Sequence, residues 1–160
     1  MKKLLTTIFL VLTVLIFESC ASIATKTVES KPVTKIIKIE NADKNKLYVR
    51  ANNWMVSAFN NAESVIQFSD KESGTVTGKY FLGKAQYATQ YVPEKNVYAI
   101  INIQVKDGAS KITITPDSWK HVVGGWYSKP AYTAEKAEAD VNALISNFEA
   151  EMLREVSDDW

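Results

Sequence analysis

From Pro32 onward the spacing of apolar residues alternates between the period of a strand and that of a helix, and each switch marks an element. Val33, Ile36, Ile37 and Ile39 form a β-branched run that ends at Asn41-Ala42-Asp43. Asp43 suits a helix N-cap, because its carboxylate can accept from the free amides of a first turn. Apolar residues at 47, 51, 54, 55, 58 and 59 follow helical spacing, with Leu47, Ala51, Trp54, Ala58 and Phe59 expected as the buried stripe. Val65, Ile66 and Phe68 lead into the turn Asp70-Lys71-Glu72-Ser73-Gly74, which joins them to a second strand running to about Ala88. Gly78 and Gly83 interrupt that strand, as expected of bulges or of a closely approaching backbone or ring.

Val97, Ala99, Ile101, Ile103 and Val105 alternate with polar neighbours, Ile100 excepted. Asp107-Gly108 then turns the chain into Lys111-Ile112-Thr113-Ile114-Thr115, the clearest hairpin in the sequence, and Pro116 stops it. Thr133 caps a last helix with Glu135 in its first turn and Val141, Leu144, Ile145, Phe148 and Met152 along one face. The order predicts a single α+β domain: strand, helix, four strands, helix, with a mostly antiparallel five-stranded sheet and both helices on one face.

Ala51, Trp54, Phe59, Val65-Ile66, Asp70 to Gly74 and Gly78 carry a resemblance to an uncharacterised family of Bacteroidetes envelope lipoproteins. That family has a domain of unknown function with a TBP-like fold, that of the TATA-box-binding protein. The resemblance covers about residues 33–150 and implies a fold, not an activity, since its motifs describe helix packing and a hairpin turn. The fold's namesake grips DNA with its open sheet. Nucleic-acid binding is not carried over, because a neutral lipoprotein outside the cytoplasm meets no genome and phosphate neutralisation would require a basic saddle.

The first residues carry a different pattern. Lys2 and Lys3 precede an uncharged stretch from Leu4 to Phe17, too short for a spanning helix of roughly 20 residues, and Ser19-Cys20 closes it. This resembles a bacterial lipobox, with cleavage between Ser19 and Cys20 and lipidation, including palmitate, on Cys20; Phe17 and Glu18 depart from the usual residues there. Cys20 is the chain's only cysteine, and several acyl chains on one residue hold a protein durably at a membrane. The expected organisation is a signal peptide at 1–19, a flexible tether at 20–32, rich in Ser, Thr and Ala, and the folded domain at 33–156. The expected location is the cell envelope, at the outer membrane facing the periplasm.

Without the leader the basic and acidic side chains balance at seventeen each, which removes the electrostatic reason to seek nucleic acid. The charges are nonetheless segregated, fifteen basic and nine acidic over 20–130 against two basic and eight acidic over 131–160. A C-terminal helix attracted to a basic body is the simplest meaning.

Catalytic and metal-binding patterns are absent. His121 is the only histidine and no Gly-x-Ser-x-Gly elbow occurs, so neither a zinc-protease pair nor a serine triad has its parts. No cofactor or metal is expected. Paired carboxylates at Glu135 and Glu138 or Glu151 and Glu155 could serve a small hydrolase acting on glycan or peptidoglycan. The segment 116–132 gathers Trp119, His121, Trp126, Tyr127 and Tyr132 around Gly124-Gly125, flat rings suited either to binding or to capping one end of the core. The outward sheet face adds Tyr98 and Asn102. The sequence therefore points to a non-catalytic envelope module that meets a protein or glycan, with the hydrolase and a self-associating structural component as its rivals.

Overall fold

The computed structural model describes residues 24–61, 64–88, 90, 93–123 and 132–154. Their order is β1 (Ala24–Val28), β2 (Val33–Lys38), α1 (Lys44–Ala58), β3 (Val65–Asp70), β4 (Thr75–Gln86), β5 (Lys95–Lys106), β6 (Ala109–Pro116), β7 (Trp119–Val123) and α2 (Ala134–Leu153). Five strands form an antiparallel sheet in the order β2-β6-β5-β4-β3.

Local chemistry places the boundaries. Asp43 accepts from the amides of Asn45 and Lys46 and so starts α1; Thr133 accepts from that of Lys136 and starts α2. Gly74 and Gly108 supply positive φ at the turns of the two hairpins. The predicted period-two pattern in β5 is observed: Val97, Ala99, Ile101, Ile103 and Val105 are all buried, facing the helices. Ile100, the exception in the pattern, stands on the opposite face between Lys79 and Thr115.

Both helices lie on one face. Leu47, Ala51, Trp54 and Met55 of α1 meet Val141, Ile145, Phe148 and Met152 of α2 over the inward rows of β2, β4, β5 and β6. The Trp54 and Phe148 rings sit edge to face at 5.0 Å, and the indole N–H of Trp54 donates to Asn147 at 2.8 Å. Gly78 lets α1 descend onto β4: a Cβ there would lie 2.7 Å from the Met55 Cε and closer still to the Phe59 ring. The attraction expected between the acidic helix and the basic body shows in the ion pair of Lys35 with Glu149 at 2.6 Å.

The expected tether at 20–32 is corrected over Ala24–Val28. These residues form β1 and pair antiparallel with β7 in a separate two-stranded ribbon, Thr27 opposite Lys120 and Val28 opposite Trp119. Thr25, Thr27 and Val28 are β-branched, so a stretch that reads as linker by composition also fits a pleated strand. Five strands rather than four separate the helices for the same reason: the chain after Pro116 continues as β7.

Candidate functional site

Two surfaces can hold a ligand or partner, one on each side of the sheet. The first is the face away from the helices, where no described element packs. Strand alternation and register bring Thr34, Ile36 and Lys38 of β2 beside Lys111, Thr113 and Thr115 of β6. Next come Tyr98, Ile100, Asn102, Gln104 and Lys106 of β5, then Thr75, Thr77, Lys79 and Phe81 of β4. Val65, Phe68 and Asp70 of β3 finish the row. The face is mixed. Ile36 is 62% exposed and Phe68 53%, while hydroxyls and amides lie between them.

Its centre is ordered by side-chain contacts. The Phe81 and Tyr98 rings meet edge to face at 5.7 Å, and the Lys79 ammonium sits 3.9 Å from the centroid of the Tyr98 ring. Asn102 donates to Thr77 at 2.8 Å, and the hydroxyls of Thr34 and Thr113 lie 3.0 Å apart. Lys38, Lys79, Lys106 and Lys111 make the face basic against one carboxylate, Asp70. Hydrogen bonding involving Ser73 and the amides of Glu72 and Ser73 holds that carboxyl below the usual carboxylate range. A depression of about 270 Å³ opens at the hairpin end, lined among others by Ile36, Gln104, Lys106 and Lys111.

The second surface is a polar cleft of about 540 Å³ on the helix side, where α1 ends and α2 passes over β4. Tyr80 and Leu82 of β4 form its floor, and Ser57, Ala58 and Asn60 line one wall. Asp140, Ala143, Leu144 and Asn147 line the other. Asp140 accepts from the Tyr132 hydroxyl at 2.9 Å and from the Lys136 ammonium at 2.9 and 3.0 Å. Burial and then the Asp140 charge push the Tyr80 phenol up from its ordinary value, so it keeps its proton. Nothing in the local sequence of these positions announces a site, because three distant elements supply them.

The aromatic candidates divide. Of the candidate binding residues, Trp119 and Tyr132 take the capping alternative and are core: they are 7% and 2% exposed, with rings 5.5 Å apart and the Trp119 indole donating to the Tyr132 carbonyl. With Ala85, Val97 and Ala137 they fill a second, smaller core under the β1–β7 ribbon. Gly83 makes room, since a Cβ there would lie 2.6 Å from the Tyr132 ring. An aromatic ring loses more by standing in water than by closing a gap at the sheet's end, which is why the capping arrangement prevails. His121 holds a register position in β7 opposite Lys26. Trp126 and Tyr127 lie outside the described residues, as do Ser19 and Cys20. Tyr98 and Asn102 stand together on the open face, as expected.

Of the paired carboxylates, Glu135 and Glu138 are both exposed on α2 and line neither depression. Glu135 is exposed at the start of α2, where its own amide and Thr133 hold its carboxyl low, and Glu151 pairs with Arg154 at 3.0 Å. Glu155 lies outside the described residues. Among the described residues no group of three or more His, Cys, Asp or Glu side chains could hold a metal ion.

Comparison with known proteins agrees with this architecture. Residues 34–116 match the family model described as "Domain of unknown function (DUF4468) with TBP-like fold". The chain is similar to the crystal structure of a DUF4468 family protein from Bacteroides ovatus, with 13% identity and a TM-score of 0.53 over 88% of this chain and 95% of that one. It is also similar to a TBP-like protein from Parabacteroides distasonis, with 13% identity and a TM-score of 0.48 over 75% of this chain and 93% of that one. The 13% identity with the Bacteroides ovatus structure speaks for the fold alone. No curated protein matches the chain.

Proposed function

The chain belongs to the DUF4468 family of TBP-like fold, and we propose from that premise that it is a lipid-anchored module of the bacterial envelope. It binds without catalysis, and its open sheet face meets a protein or glycan. The observation that carries the reading is the cluster at the centre of that face, Lys79 over the Tyr98 ring beside Phe81. A ring held in place beside a cation loses little freedom on binding, and it offers an apolar surface with a polar edge to a partner. Lys79 within the cluster, and Lys38, Lys106 and Lys111 towards the hairpin end of the same face, favour a partner surface that carries negative charge. Nucleic acid is left out although this face is basic, because an envelope location offers no genome.

The anchor rests on Cys20 and the leader before it. No observation favours the hydrolase, which needs two carboxylates facing one pocket, whereas Asp140 is the single carboxylate lining the helix-side cleft.

A photoreactive residue at Tyr98, compared with one at Glu149, tests the binding reading in the native envelope. The reading requires a product from position 98 that is absent from 149 and that is lost when Lys79 and Phe81 are changed to alanine. Equal products from both positions, or none from 98, would sink it. Cys20→Ala tests the anchor separately: loss of palmitate label and release from the membrane fraction are expected, and retention of both would remove the lipoprotein assignment.

A further inference from the structure

The helix-side cleft is lined by groups whose hydrogen-bonding capacity the fold leaves unused. Tyr80 packs its ring against Phe59 at 5.5 Å, yet its hydroxyl has no partner among the described residues. Asn147 spends its carbonyl oxygen on the Trp54 indole, which leaves the amide N–H groups for the cleft. Asn60, at the end of α1, is likewise without a partner among the described residues, and Ser57 donates to the Trp54 carbonyl while its lone pairs stay available. Amide, phenol and hydroxyl groups thus surround an aliphatic patch made by Leu82, Ala58 and Ala143.

The only charged lining group among the described residues is already neutralised. Asp140 has both oxygens engaged, by Tyr132 and by Lys136, so a ligand cation would have to displace an internal one and an anion would meet a carboxylate. The volume, about 540 Å³, lies within the usual size of a small-ligand site. Neutral donors and acceptors around an apolar patch match a sugar ring, whose equatorial hydroxyls reach the amides while its C–H face lies on the aliphatic groups.

We propose that the cleft between α1, α2 and β4 is a binding site for a neutral saccharide, separate from the open sheet face. It does not depend on the sheet-face reading, since the two surfaces lie on opposite sides of the sheet and share no residue.

The test is saturation-transfer NMR and titration calorimetry on the detergent-solubilised full chain with cellobiose, maltose and N,N′-diacetylchitobiose as probes, and glucuronate and glucosamine as charged comparators. At least one neutral probe should bind. Tyr80→Phe, which removes only the hydroxyl, and Asn147→Asp, which keeps the acceptor for Trp54 but replaces the free amide, should each weaken it by about tenfold. Tyr98→Ala on the other face should leave it unchanged. Unchanged thermal unfolding of Tyr80→Phe and Asn147→Asp would show that the fold is intact. Failure of every neutral probe, tighter binding of either charged comparator, or binding that survives both cleft variants would overturn the site. Loss of binding in Tyr98→Ala alone would move the sugar to the sheet face and overturn it equally.

Discussion

The two faces of the sheet are built from the same strands and differ in what covers them. On the inner face Ile101, Ile103, Ile112 and Ile114 are fully buried under two helices. On the outer face their strand neighbours Asn102, Gln104, Lys111 and Thr113 face outward. One residue of register separates a core from a surface. The contrast teaches that the two rows tolerate change differently: the inner row can change only at a cost in stability, the outer row, on the face proposed for binding, chiefly at a cost in whatever it contacts.

The largest effect should follow from breaking the inner row. Phe148→Ala removes a fully buried ring that Trp54 meets edge to face, and should lower the unfolding free energy by about 3–5 kcal/mol. Tyr98→Ala, on the other face, should cost about 1 kcal/mol, because its ring contacts Phe81 and Lys79 but stays partly in water. Denaturant titration of both decides the comparison. Equal costs would mean that the outer face is covered in the native molecule.

The next sharpens how the helices reach the sheet. Gly78→Ala should cost about 2 kcal/mol, since the new methyl would enter the space of Phe59 and Met55. In a Phe59→Leu background the same change should cost less, a coupling that a double-mutant cycle measures directly. Additive costs would show that Gly78 matters for its backbone and not for the approach of α1.

How much of this was legible in the sequence follows from the range over which each signal acts. The β5–β6 hairpin and both helices declared themselves, because Asp107-Gly108, Asp43, Thr133 and the alternation of Ile101 and Ile103 are local patterns. The bulges and close approaches at Gly78 and Gly83 were legible as glycines, though not the partners, Phe59 and Tyr132, that need the space. The β1–β7 ribbon was not legible, because it pairs segments far apart in the chain and Thr-rich strands resemble linkers. Trp119 and Tyr132 read either as binding or as capping residues, because an aromatic in irregular sequence carries no sign of which way it turns. The cleft was invisible, since Ser57, Tyr80 and Asp140 meet only after the helices have packed.

A smaller effect probes the second core. Tyr132→Phe removes the bond to Asp140 and should cost about 1.5 kcal/mol at neutral pH, the scale of a hydrogen bond to a charged group. Burial, with Asp140 behind it, raises the phenol well above its ordinary value. The folded state therefore keeps the proton while the unfolded chain loses it near pH 10, so this contribution is complete below about pH 10 and declines as pH rises. The parent should lose stability more steeply above pH 10 than Tyr132→Phe. Parallel curves would mean that the hydroxyl is solvated, and the second core would then be no drier than the open face.

The smallest effect belongs to the open face itself. Asp70 is partly exposed, and its lowered carboxyl stabilises the β3–β4 turn through hydrogen bonding that involves Ser73 and the amides of Glu72 and Ser73. Because the folded value lies below the unfolded one, the contribution is present above the ordinary carboxylate range and is lost as pH falls through the folded value. Asp70→Asn should thus unfold at slightly lower temperature than the parent at neutral pH, and the gap should close in acid. The same change removes the one carboxylate among Lys38, Lys79, Lys106 and Lys111, so crosslinking from Tyr98 to a negatively charged partner should strengthen while the turn weakens. A variant that weakens both would show that Asp70 contacts the partner itself, and that the basic face is read with its carboxylate and not in spite of it.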